Sequence, residues 1–189
     1  MPFEFEKLNI SGPILVKPEF FSDSRGFFAE TYKKSEFVKN GITPDFNQDN
    51  TSYSVKNVIR GLHYQKSPHV QAKLVRCIKG KIYDVAVDVR CDSPTLGKWI
   101  GVELSDENNY MLYIPEGFAH GFSVLSDNGA IIAYKASAEF SKESERGILY
   151  NDKTIGIDWK VDNPTVSGKD LILPSFNEAD LECLSGEKL

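Results

Sequence analysis

Three histidines occur in the chain, His63, His69 and His120, and each could serve as ligand, base or structural residue. His69 follows Ser67-Pro68 in what reads as a loop and is expected to be exposed. His120 ends Pro115-Glu116-Gly117-Phe118-Ala119-His120 and lies between aromatic positions Phe118 and Phe122. That setting leaves both a hydrogen-bonded structural role and a substrate contact open. Other chemistries are excluded by pattern. There is no G-x-G-x-x-G after a strand, no G-x-x-x-x-G-K-[ST], no G-x-S-x-G and no H-E-x-x-H, so any reaction here is expected to need no dinucleotide. Cys77, Cys91 and Cys183 are odd in number and lack C-x-x-C spacing. They are read as small apolar fillers, with neither a disulfide framework nor a thiolate zinc site.

The elements that must position these residues are mostly strands. From Thr51 to Phe140 short β-rich runs follow one another: Val58–Tyr64, Leu74–Ile78, Lys81–Val89, Lys98–Leu104, Met111–Ile114, Phe118–Leu125 and Ala130–Ala136. Turn signals such as Lys79-Gly80, Pro115-Glu116-Gly117 and Asp127-Asn128-Gly129 separate them. This spacing predicts an antiparallel sandwich or barrel rather than βαβ units. A short helix is expected at Ser35–Asn40, capped by Ser35 and closed by Gly41. Within Lys81–Val89, Tyr83, Val85, Val87 and Val89 share one face while Ile82, Asp84, Ala86 and Asp88 share the other. Periodicity leaves open whether the two carboxylates face solvent or a polar cavity inside a barrel.

At 189 residues, with 41% hydrophobic and 26% charged residues, the chain is long enough to fold as one domain without a metal or disulfide. The formal net charge of −5 makes duplex nucleic acid an unsuitable partner. The N-terminus carries acidic residues where a signal peptide would carry basic ones, and no run of ~18 apolar residues occurs, so a cytoplasmic protein without membrane attachment is expected. No internal repeat, linker or low-complexity stretch divides it.

The Pro115–His120 segment has the P-x-G-x-x-H form of the second box of cupins, small jelly-roll barrels that often hold a metal. The H-x-H of the cupin first box is absent from this chain, so no metal is expected. A closer resemblance is carried by Arg60-Gly61-Leu62-His63-Tyr64-Gln65, Gln71-Ala72-Lys73-Leu74-Val75-Arg76, Asp84-Val85-Ala86-Val87-Asp88 and Ser93-Pro94-Thr95. These run in the order seen in dTDP-4-dehydrorhamnose 3,5-epimerases. Asp23-Ser24-Arg25-Gly26-Phe27-Phe28-Ala29-Glu30, Gln48-Asp49-Asn50, Tyr134-Lys135 and Gly156-Ile157-Asp158-Trp159 resemble further segments of that family. The resemblance implies an all-β, cupin-type jelly-roll barrel with short flanking helices, occupying a single domain over 1–189 with a core of about 14–170 and an extension at 171–189.

Such enzymes invert carbons next to a keto group, which requires a base, a cation for the enolate oxygen and an acid on the opposite face. The resemblance implies His63 as base, whose ordinary pKa suits proton transfer at neutral pH, with Asp170 as its carboxylate partner and Asp84 as the alternative partner. Lys73 and Arg60 would stabilise the enolate and Tyr134 would return the proton. Arg25, Glu30, Gln48 and Asn50 would contact nucleotide and diphosphate, with the Arg25 segment reaching into a partner's site in a homodimer. His120 would meet the sugar, and Phe140, where many members carry Tyr, would stack near base and sugar. No cofactor is implied; the substrate is a nucleotide sugar, dTDP-4-dehydro-6-deoxy-D-glucose. The alternatives are a sister enzyme inverting one carbon or using another nucleotide or sugar, and a non-catalytic sugar-binding cupin. One geometric demand follows: strict β alternation puts Arg60 and His63 on opposite faces, so both reach one cavity only if the strand bulges, which Gly61 between them would permit.

Overall fold

The computed structural model describes residues 2–183. All seven expected runs form strands, their ends within one residue of expectation. They are β6 (Val58–Gln65), β7 (Lys73–Lys79), β8 (Lys81–Asp88), β9 (Trp99–Ser105), β10 (Met111–Ile114), β11 (Phe118–Val124) and β12 (Ala130–Ala136). Before them come β1 (Phe3–Lys7), β2 (Ile14–Pro18), the small hairpin of β3 (Phe21–Asp23) and β4 (Gly26–Phe28), and β5 (Gln48–Ser54). After them come β13 (Glu145–Gly147) and β14 (Thr165–Val166).

One sheet has the order β1-β2-β10-β7-β12-β5 and the other β13-β6-β11-β8-β9, with β14 added in parallel to the start of β6. Every other pairing is antiparallel. Alternate residues of both sheets point at each other: Val75, Leu112 and Ile132 from the first meet Ile82, Leu104 and Phe122 from the second in one apolar cluster. Alternation, hydrophobic inward, is what a closed sandwich requires. It is the jelly-roll barrel of the cupins.

The open question about β8 is thereby answered. Ile82 and Ala86 belong to the interior cluster, and Asp84 and Asp88 on the same face are completely buried. Val85, Val87 and Val89 on the other face are buried too, under Ile148, Ile155 and Trp159 of the C-terminal segment. Asp88 is satisfied by Arg90, Ser93 and Thr95, which accounts for the Ser93-Pro94-Thr95 turn. Polar β5 escaped the hydrophobic-pattern reading because it is an edge strand whose alternate residues are exposed.

Two expectations are corrected. The helix α1 spans Lys34–Lys39, one residue earlier than expected at each end, and its N-cap is Lys33 without a side-chain cap; Ser35 lies inside it. Phe37, fully buried beneath the first sheet, holds this helix in place of a cap. The cysteines are not all fillers: Cys77 is buried and free, but Cys91 and Cys183 form a disulfide. The spacing of 92 residues hid that pairing, which depends on the chain returning so that Glu182 bridges in parallel to Arg90. Reduction, or Cys91→Ser, is expected to lower the unfolding free energy by about 2–4 kcal/mol, the usual effect of a long-loop crosslink. Chemical denaturation with and without dithiothreitol measures it; superimposable curves would show that the crosslink contributes nothing.

Candidate active site

Beside its apolar cluster the barrel interior holds a polar cavity of about 570 Å³, within the ordinary range for small-molecule sites. The second sheet contributes Arg60, His63 and His120 to its lining, and the first contributes Asn50, Lys73 and Tyr134. Asp170 comes from the 3₁₀ turn Asp170–Ile172.

Arg60 and His63 line the same cavity because β6 slips against β11. His120 pairs with His63 and Phe122 with Arg60, so three steps along β6 oppose two along β11. The extra residue is accommodated at Gly61, whose φ of +123° few side chains tolerate. A Cβ there would stand 2.6 Å from the Cα of Gly121, and one on Gly121 would stand 2.8 Å from the Arg60 carbonyl oxygen. The two strands cross on paired glycines. The bulge also lets the Gly61 N–H face Asp170, whose Oδ2 accepts it at 3.4 Å.

The other oxygen of that carboxylate, Oδ1, lies 2.7 Å from His63 Nε2. Of the two possible partners, His63 therefore holds Asp170; Asp84 Oδ1 lies 2.7 Å from His120 Nε2 instead. Local structure delivers Asp170: β14 pairs with Val58 and Ile59, and the chain then turns so that the Ser167 hydroxyl accepts the Asp170 N–H at 3.1 Å. Burial pushes the Asp170 carboxyl up, but the hydrogen bond and charge of His63, with the Gly61 N–H, outweigh it and hold the group below the usual carboxylate range. It is ionised at neutral pH. With a carboxylate on Nε2, neutral His63 carries its proton there, leaving Nδ1 as the basic nitrogen.

Burial pushes His120 below its ordinary value despite Asp84, so it is neutral at pH 7. Burial also pushes Tyr134 up, opposed by the charge of Arg60, which keeps the phenol protonated. Lys73 opens into the cavity but is surrounded by protein, and that burial pulls it down to about 8, opposed by Asp84 and Glu145. Arg60 stands at the mouth, where its guanidinium donates to Ser54 Oγ and the Tyr53 carbonyl. Among the described residues no group of three or more His, Cys, Asp and Glu is placed to hold a metal ion.

The family model for dTDP-4-dehydrorhamnose 3,5-epimerase matches residues 7–178, nearly the whole chain. The chain belongs to that family. It is 51% identical over 175 residues to the dTDP-4-dehydrorhamnose 3,5-epimerase of Shigella flexneri, covering 92% of this chain and 96% of that one. A crystal structure of the Legionella pneumophila enzyme in complex with dTDP-4-keto-L-rhamnose superposes with a TM-score of 0.92 at 41% identity, covering 97% of this chain and 100% of that one. A 3'-monoepimerase from Streptomyces bikiniensis, solved with dTDP-quinovose, shares the fold at a TM-score of 0.85 and 31% identity, covering 91% and 87%.

Not every residue singled out from the family pattern lies at the cavity. Gln48 stands behind Asn50, donating to its Oδ1 at 2.8 Å and accepting the Phe140 N–H at 2.9 Å. Phe140 itself is 58% exposed. Among the described residues Arg25 is paired only with Asp23, in the wholly exposed β3–β4 hairpin, and Glu30 lies beyond it, 3.7 Å from Lys33. His69 is exposed as expected, with Nδ1 3.0 Å from Ser144 Oγ. Ser167 and Lys169 line the cavity and were missed, since no spacing in the sequence announces a parallel two-residue strand.

Gly61→Ala is expected to cost about 2–4 kcal/mol, from the positive φ and the backbone collision together, and to lower turnover further by separating Arg60 from His63. Denaturation curves and rates on the folded fraction test this; wild-type values for both would mean that the glycine crossing is dispensable.

Proposed function

We infer that this enzyme inverts C3 and C5 of dTDP-4-dehydro-6-deoxy-D-glucose, giving dTDP-4-dehydro-L-rhamnose, through enolates formed in the barrel cavity. The observation that carries the reading is the His63–Asp170 pair facing the same cavity as Lys73 and Tyr134, in a chain of this family. Both carbons flank the C4 carbonyl, so one set of groups serves twice. His63 Nδ1 takes the α-proton, and the imidazolium that forms is stabilised by ionised Asp170. The electron pair moves onto O4, where the charges of Lys73 and Arg60 meet it. Tyr134, kept protonated by its surroundings, returns a proton on the opposite face. His120 contacts the sugar end, and Gln48, Asn50 and Phe140 the nucleotide end.

A diphosphate needs cations, and an acidic protein must supply them locally. Arg25 is a suitable one but lies on an exposed hairpin beside Phe21, Phe27 and Phe28, which are 51%, 67% and 67% exposed. Exposed aromatics in such density mark a contact surface. The reading is therefore a homodimer in which each hairpin completes the partner's site, working in the cytoplasm. Mixing two inactive variants, Arg25→Ala and His63→Asn, tests it. Hybrid dimers hold one intact site each, so about a quarter of wild-type activity should return after random exchange. No recovery, or a fully active monomer in sedimentation, would contradict the shared site.

The reaction itself is read in deuterium oxide by NMR. Wild type should exchange the C3 and C5 protons, and folded His63→Asn should lose about 10²–10⁴-fold in rate. Exchange at C3 alone would make the enzyme a single-carbon epimerase, and no exchange would make the protein a binding cupin.

A further inference from the structure

Asp84 is completely buried in the middle of β8, facing the cavity side of the barrel. Its Oδ1 is committed to His120, while Oδ2 is buried without a hydrogen-bond partner among the described residues. An ionised carboxylate in that state is expensive unless a cation nearby uses its charge. The charged and titratable groups around Lys73 show which cation that is. From β6 come Arg60, bound to Ser54 and Tyr53, and His63, bound to Asp170. From β13 comes Glu145, paired with Lys169, and from β11 and β12 come neutral His120 and Tyr134. Both oxygens of Asp170 are engaged, by His63 and the Gly61 N–H, and Glu145 is paired with Lys169, so among the described residues around Lys73 Asp84 is the carboxylate with a buried oxygen that nothing takes up. Among the described residues neither Lys73 nor Arg60 is in an ion pair, but Arg60 is hydrogen-bonded to Ser54 and Tyr53 whereas the Lys73 ammonium has no side-chain hydrogen bond, and Asp84 is the strongest charge acting on it.

We propose that Asp84 is a positioning residue of the reaction: its carboxylate keeps the Lys73 ammonium protonated and fixes the ring of His120 by taking its Nε2–H. Resting on the assignment of Lys73 to the enolate oxygen, this extends the catalytic apparatus by one residue that never touches substrate. The negative charge buried behind Lys73 opposes the burial that pulls its ammonium down, with Glu145 the weaker second. Without Asp84 that opposition is reduced, and the amine loses its proton at lower pH.

The experiment is Asp84→Asn, which keeps size and removes charge. Wild-type kcat/KM should fall above pH about 8 as Lys73 deprotonates; in the variant that limb should move down by about one unit. The loss is then about tenfold above pH 9, about threefold at pH 7.5 and nearly absent at pH 6, a pattern set by the protonated fraction of one amine. A purely structural role would lower the rate equally at every pH, and that result overturns the proposal. A direct readout is the ¹³Cε resonance of Lys73, which should titrate lower in Asp84→Asn; an unchanged titration also overturns it. Because this signal needs no turnover, a lowered Lys73 titration in a protein without proton exchange would uphold Asp84's action on Lys73 while refuting the epimerase reading. Should Asp84→Asn fail to fold, the double variant with Lys73→Met should be the more stable, since it removes both charges; equal instability would refute the pairing.

Discussion

The meeting of Arg60, His63 and Asp170 at one cavity depends on a single close crossing of backbone, where Gly61 of β6 passes Gly121 of β11. A β-strand presents alternate residues to one face, and no side-chain choice can change that. Only an inserted residue can, and an inserted residue demands a backbone conformation and a closeness of approach that glycine meets. Past the crossing, Ile59, Leu62 and Tyr64 pack outward under the C-terminal segment, while Arg60 and His63 both turn in. The same slip aims the Gly61 N–H at Asp170, so the residue that bends the strand also helps hold the carboxylate behind the base.

The interior combines two kinds of residue. Ile82, Leu104, Val124 and Ile132 fill the space between the sheets and stabilise the fold. Among the strands around them, β7, β8, β11 and β12 also carry Lys73, Asp84, His120 and Tyr134. Burying these groups opposes folding, and each carboxylate is hydrogen-bonded to one histidine ring, Asp170 to His63 and Asp84 to His120. The two pairs differ in exposure: the His63 side chain is about one-third exposed, whereas that of His120 is largely covered and meets only the cavity it lines.

Much of this was legible in the residues. The runs around β6 to β12 alternate clearly enough to place seven strands, and the motif order identified the family before any geometry. The bulge at Gly61 was demanded by the separation of Arg60 and His63 and is present. What stayed hidden depends on long returns of the chain. Gln48–Ser54 has no apolar pattern because an edge strand needs none, Cys91 and Cys183 meet only through the last turn of the C-terminal segment, and the choice between Asp170 and Asp84 rests on where β14 docks. The capping of α1 was misread because Phe37 burial, not a serine, anchors it.

The distance of 107 positions between His63 and Asp170 has a consequence for how the protein is made. On the ribosome, every described strand of both sheets, β14 included, emerges before Asp170 does. A nascent chain can thus close its barrel around the cavity while the base still lacks the charge that would stabilise its protonated form. Proton abstraction waits for the segment that follows β14 to dock, so the competence of the site reports that synthesis has passed through residue 170.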